Sequence, residues 1–209
     1  MPYLRHDPIA MTDTAAIPVD PARLTTWTVD QYVAMVESGA LLHNRVELIA
    51  GKIVDMSPIS NPHAAGVSIL ADLLRDVPGR KLDVREEKHI KLSGLTSMPQ
   101  PDIAVCKRDR YRYARRAPTA ADIHLIVEVA KSSLDYDRTT KRELYAAAGI
   151  PEYWIVNLVD RQLERFLPDG EGKYPEDGVV YGEGARFEHA LVGEVVVAEV
   201  LPMTTGERE

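Results

Sequence analysis

The stretch IHLIVEVA, Ile123 to Ala130, constrains the chain most. Its β-branched and aliphatic residues read as a buried strand, yet Glu128 sits in the middle of the apolar run. A lone carboxylate in a low-dielectric interior costs several kcal/mol unless a proton, a cation or hydrogen-bond donors offset its charge. The chain therefore has to bring a compensating group to Glu128.

At 209 residues, one domain of ordinary size with a sizeable core is the natural expectation, and 45% hydrophobic with 27% charged residues is a globular composition. Cys106 is the single cysteine, which excludes an intrachain disulfide and a cysteine-rich zinc site. No apolar run approaches the roughly 20 residues that span a bilayer, and the N-terminus lacks the apolar stretch of a signal peptide. A cytoplasmic protein without membrane contact is expected. The net charge of −7 argues against a surface that binds nucleic acid everywhere, while leaving room for a local basic patch.

Residues 1–24 read as a mobile arm, 25–203 as the domain and 204–209 as a polar tail. TVDQYVAMVESG predicts a helix with a capping box between Thr28 and Gln31, and RVELIAGKIVDMSP two strands joined at Ala50-Gly51. SNPHAAGVSILADLLRDVPG predicts a helix capped by Ser60 or Asn61, with His63, Gly66, Val67, Leu70, Leu74 and Val77 as its inward stripe and Pro78-Gly79 as its stop. Strands follow at LDVREEKHIKLSG, PDIAVCKR, IHLIVEVA, EYWIVN and RQLERFLP, with a helix at DRTTKRELYAAAG and a strand-rich C-terminal part. This order suggests an α/β or α+β fold, a sheet with helices packed on it.

Side chains alternate along a strand, so Asp102, Ala104 and Cys106 share one face of PDIAVC, as do His124, Ile126, Glu128 and Ala130 of IHLIVEVA. If these strands pair, Asp102 and Glu128 can meet. Converging carboxylates share a proton or bind a divalent cation, and oxygen ligands suit Mg²⁺ or Mn²⁺. The plainer alternative leaves Asp102 as a strand-edge or turn residue and pairs Glu128 with a lysine or arginine.

Pro101-Asp102 followed by Glu128 is similar to the skeleton of the PD-(D/E)XK nuclease superfamily. The order ELIAGKIVDMSP, His63, PDIAV, LIVEVAKSS and DRTTKRELYAAAGIPEYWIVN resembles the Uma-type endonuclease family over about residues 26–167. The resemblance implies a restriction-endonuclease-like core, a mixed sheet flanked by helices, here with additional N- and C-terminal strands. It implies metal-dependent hydrolysis of phosphodiester bonds, DNA being the expected substrate with RNA left open. Asp102, Glu128 and the Val129 carbonyl would hold the metal.

That pattern places a lysine two residues after the glutamate, where this chain has Ala130. Lys131 has the wrong phase. Lys141 is the better candidate, because Asp137, Lys141, Leu144, Tyr145 and Ala148 form one helical stripe that should pack on the sheet. The alternative is an i, i+4 ion pair of Lys141 with Asp137, its amine in water. Glu47 is a further candidate acid or a solvent-facing strand residue; His63 points at the site or caps and packs its helix. Tyr145 orients a phosphate or fills the core, the safer reading, and Cys106 is read as a small core residue.

KRDRYRYARR carries Lys107, Arg108, Arg110, Arg112, Arg115 and Arg116 around Tyr111 and Tyr113, a candidate nucleic-acid contact on an acidic chain, or else a solvated or partner-docking loop. It should overhang the end of the sheet that carries Asp102, or the opposite rim. VVYGEG and GEVVVAEV are candidate homodimer edges. Two rivals to the nuclease stand beside it: an inactive nuclease-like binding or interaction module, supported by Ala130, and a structural oligomer whose carboxylates are paired to arginines.

Overall fold

The computed structural model describes residues 24–41, 44–77 and 82–203; the expected arm (but for Leu24), the expected tail and the Pro78-Gly79 stop lie outside these residues. Helix α1 (Val29–Glu37) starts at Thr28, whose side chain accepts the Gln31 N–H while the Gln31 side chain accepts the Thr28 N–H. Strands β1 (Val46–Ile49) and β2 (Lys52–Asp55) form a two-stranded hairpin. Its turn holds Ala50 at φ 47° and Gly51 at φ 75°, the left-handed pair that matches the twist of a tight hairpin. Tyr32, Val29, Val46 and Leu48 bind α1 to this hairpin as a small core of their own. Bonds of Leu48 to Met98, Ala50 to Ser97 and Gly51 to Thr96 tie it to the rest of the chain.

The main sheet has the order β3-β4-β5-β6-β7-β8. Its strands are β3 (Leu82–Glu86), β4 (Ile103–Lys107), β5 (Ile123–Ala130), β6 (Tyr153–Asn157), β7 (Gln162–Phe166) and β8 (Val179–Gly182). Only the β5–β6 pair is parallel, so the sheet is mixed. A parallel neighbour requires a crossover, and the segment between β5 and β6 supplies it: α3 (Leu134–Tyr136), a π-turn (Asp137–Lys141) and α4 (Arg142–Ala147). Helix α2 (Asn61–Arg75) begins at Ser60 with Pro62 in its first turn. Its Val67, Leu70 and Leu74 pack on Leu125, Val127 and Val129, while Leu144 and Tyr145 of α4 pack with Ala104, Ile126, Ala130 and Ile155. These two clusters carry the residues that strand alternation assigns to opposite faces. Alternation fails at one point: β4 and β5 slip register after Val105, so Cys106 faces Ile123 and not His124.

The expected helix over DRTTKRELYAAAG begins earlier, at Leu134, and widens into the π-turn before continuing. The expected polar strand over LDVREEKHIKLSG stops at Glu86, because Glu87 takes a left-handed backbone at φ 46°. The C-terminal part forms β9 (Arg186–His189) and β10 (Gly193–Val196), a separate two-stranded sheet, and then turns into α5 (Val197–Val200). Val195, Val197 and Val200 of GEVVVAEV are buried against the α2 face and so are spent inside the chain, whereas Val179 and Val180 on β8 are exposed. His189 of β9 docks on β6 through Glu152, which also accepts from Trp154 Nε1 at 2.6 Å and Arg165 Nε at 2.7 Å.

Gly66 sets how closely α2 approaches β5: a Cβ there would lie 3.0 Å from Val129 Cγ1. Gly66→Val should therefore lower stability by about 1–3 kcal/mol, as overpacking does, despite valine's better helix propensity than glycine. Chemical denaturation monitored by circular dichroism checks this; an unchanged midpoint would mean that α2 has room to shift.

Candidate active site

Asp102 stands just before β4 and Glu128 near the end of β5, and the Ile103–Val127 pairing sets them side by side. They interlock through the main chain. Glu128 Oε2 accepts the Asp102 N–H at 3.1 Å, and Asp102 Oδ2 accepts the Val129 N–H at 2.7 Å. Glu128 Oε1 accepts from the Tyr145 hydroxyl at 2.7 Å and from Lys141 Nζ at 3.3 Å. Lys141 Nζ also donates to Glu47 Oε2 at 2.7 Å. Glu47, from the N-terminal hairpin, accepts in addition the Gln100 N–H and the Tyr136 hydroxyl. A buried ammonium, a phenol and an amide thus surround the Glu128 carboxyl.

The π-turn brings the lysine in. Arg142 N–H bonds the Asp137 carbonyl five residues back, and this wider turn leaves both Asp137 and Lys141 buried beneath the sheet end. Such single π-turns recur at functional sites. Arg138 in the same turn pins it to β7 through two bonds to Glu164, at 2.9 and 2.6 Å. Lys141 is thus not the solvent-facing partner of Asp137, and Glu47 is not a solvent-facing strand residue; each is the other's buried counterion. Tyr145 fulfils the packing role and also binds Glu128.

His63 reaches the site from the first turn of α2. Its Nε2 lies 3.2 Å from Asp102 Oδ1, is buried, and has no partner in hydrogen-bond geometry. Asp102 holds its pKa above the usual histidine value against the opposing effect of burial, and the Val129 carbonyl adds to the rise. Donor atoms of His63, Glu87 and Asp102 lie within 4.8 Å of one another, close enough for one ion to draw them together. Sequence reading missed Glu87, because its alignment with Asp102 depends on the backbone reversal that ends β3. It also missed Asp137, Arg45 and Tyr136 as lining residues of the cavity of about 180 Å³ above these groups. Asp137 at least was visible, as the first member of the Lys141 stripe.

Burial pushes the Glu128 carboxyl up to about 8 and that of Asp137 up to about 7, the neighbouring carboxylates adding to both and Lys141 opposing. Burial alone would lower Lys141, but Glu128 and Glu47 more than reverse this and raise it. The ammonium therefore keeps its proton, while burial and the neighbouring carboxylates favour protonation of Glu128 and Asp137. A cation entering the cavity would displace those protons.

The basic loop is elsewhere. It leaves the far end of β4, five residues or about 17 Å of strand from Asp102. Lys107 bonds the Ala121 carbonyl, Arg112 pairs with Asp83 at 2.6 Å, and Arg116 binds Asp122 through both terminal nitrogens. Arg110 and Arg115 stack on Tyr111, and the buried Tyr113 takes Arg85 and Arg116. Of the two rims left open by the sequence, the loop occupies the opposite one, and its tyrosines serve its own arginines.

The family model described as "Uma2: Putative restriction endonuclease" matches residues 29–200, well over half of the chain. The chain belongs to the Uma2 family. No curated protein matches it. A crystal structure titled as a putative nuclease belonging to DUF820, from Anabaena variabilis, shares the fold of this Uma2 chain with a TM-score of 0.64 at 16% identity, covering 83% of this chain and 96% of that one. Among the described residues of the Uma2 chain, no helix is long and apolar enough to cross a membrane.

The raised carboxyls give a pH signature. The folded, metal-free protein binds these protons more tightly than the unfolded chain, so their stabilisation is complete below about pH 4 and is lost as pH rises through about 7 to 8. The melting temperature of wild type relative to Glu128→Gln should fall as pH rises from 5 to 8 in EDTA. A constant difference between the two proteins would show that Glu128 is ionised throughout.

Proposed function

We propose that this chain is a divalent-metal-dependent endonuclease that hydrolyses phosphodiester bonds, with DNA as the first candidate substrate. One observation carries the reading: two interlocked carboxylates and a buried lysine, drawn from the entry to β4, from β5 and from the crossover π-turn, line one cavity. Membership of a family described as restriction endonucleases supports it.

The residues present suit a cation. Carboxylate and carbonyl oxygens are ligands for Mg²⁺ or Mn²⁺, and donor atoms of His63, Glu87 and Asp102 already lie within 4.8 Å of one another. Asp102, Glu128 and the Val129 carbonyl would hold the ion, with His63 alongside. When bound, such an ion neutralises charge on the phosphate and lowers the pKa of a water.

The protein's own groups do the rest. Glu47 keeps the Lys141 ammonium in place when Glu128 turns to the cation, so the amine remains available to the charge that develops on phosphorus. Tyr145 stays protonated, its pKa raised well above the usual phenol value by burial and by Glu128, and fixes one oxygen of that carboxylate. The buried Lys141 amine beside Glu128 supports the enzyme over the inactive binding module that Ala130 suggested. Nothing in the described residues bears on a homodimer beyond the exposed edge of β8.

Cleavage of plasmid, single-stranded DNA and RNA with Mg²⁺ or Mn²⁺ tests the reading. Glu128→Ala and Lys141→Met should each reduce the rate at least 100-fold while retaining the wild-type circular dichroism spectrum. Wild type inert on all three substrates, with metal binding intact, would move the assignment to a binding module. Independently of turnover, Mn²⁺ should raise the melting temperature of wild type and not that of Asp102→Ala; an equal rise in both would place the ion elsewhere.

A further inference from the structure

We infer that the strand admitted to this site is an unpaired one, a single-stranded or locally opened phosphodiester chain; the inference rests on the nuclease reading above. The groups expected to act on phosphorus are nearly inaccessible from outside: Asp102 is 7% exposed, Glu128 5% and Lys141 4%. A scissile phosphate must enter the cavity to reach them. Its volume, about 180 Å³, lies below the 300–1,000 Å³ typical of small-molecule sites, enough for one phosphodiester with part of its sugar. Its lining takes in β2 and the segment after it, with Met56 and Pro58, and the segment after β5, with Lys131 and Tyr136. A flexible single strand can thread a backbone phosphate among these segments. A duplex would have to bring its second strand against them.

Charge points the same way. Proteins that hold a duplex through its backbone commonly neutralise about 6–10 phosphates. Of the cavity's lining residues, the exposed cations are Arg45, which pairs with Glu87 at 3.2 Å, and Lys131, and the exposed Asp55 adds a negative charge to the same lining. The basic loop that could have extended this surface lies at the opposite end of the sheet, and its Lys107, Arg112 and Arg116 are engaged by Ala121, Asp83 and Asp122. On a chain of net charge −7, no other lining residue makes good the deficit. An unpaired strand needs less: a short track of cations and apolar or aromatic surfaces for exposed bases, here Met56, Pro58 and the ring of Tyr136.

The experiment uses one labelled 20-nucleotide sequence as single-stranded DNA, as RNA and as blunt DNA duplex. Wild type is assayed for cleavage with Mg²⁺ and Mn²⁺, and Glu128→Gln for binding by fluorescence anisotropy across a salt series. Single strands should be cut and bound at least 10-fold better than the duplex. Their log–log salt slope should be shallow, about −1.4 for two neutralised phosphates, and Arg45→Gln with Lys131→Gln should weaken binding and flatten that slope. Preference between the DNA and RNA arms identifies the sugar, and either supports the inference. Duplex cut and bound as well as single strand would overturn it and leave the nuclease standing. No cleavage and no binding of any of the three would overturn the nuclease reading and this inference with it.

Discussion

The Lys141 ammonium, held at 2.7 Å from Glu47 and 3.3 Å from Glu128 with almost no access to water, is the interaction around which this structure is organised. A buried ion pair of this kind is a weak source of net stability, because desolvation of each charge offsets much of the attraction. Its value lies in what it aligns. Glu47 belongs to the N-terminal hairpin, Glu128 to the central strand of the sheet, and Lys141 to the crossover between the two parallel strands. Lys141 cannot leave without stranding buried carboxylate charge, so the hairpin is bound to the sheet electrostatically as well as through Leu48, Ala50 and Gly51.

Around that pair the chain makes each element serve placement. Gly66 lets α2 close on Val129 so that His63, one turn earlier, reaches Asp102. The π-turn shifts the crossover helix by one residue, and the Arg138–Glu164 bonds hold it so. The interlock of Asp102 and Glu128 through main-chain N–H groups orients both carboxylates by strand pairing itself. The rotamers of two long side chains do not have to be trusted. The result is a site with more acid than its one ammonium can balance, which protons satisfy in the absence of a cation. That surplus is the electrostatic case for a metal.

Much of this was legible in the order of residues. The Thr28–Gln31 cap, the Ala50-Gly51 turn, the α2 stripe and the phases of β4 and β5 all follow from local rules of period and backbone conformation. The Asp102–Glu128 proximity and the inward face of Lys141 follow from the same rules. The misses have a common cause. The slip after Val105, the early end of β3 at Glu87 and the π-turn are single-residue departures from regular repeat, and a periodic reading averages across them. The basic loop failed differently: its composition is that of a nucleic-acid contact, but composition does not say which end of a strand a loop leaves or what pairs with its arginines.

The sequence by itself determined the secondary structure around the site and the chemical types that meet there, because strand alternation and helical spacing fix which side chains share a face. Only the tertiary structure decided the pairings. Glu47 and Lys141 are 94 residues apart, and a buried charge finds its counterion through space. Where the cavity opens, how few cations stand at its mouth and that the arginine-rich loop lies at the far end are likewise properties of packing. Each depends on which ends of the strands the sheet order brings together.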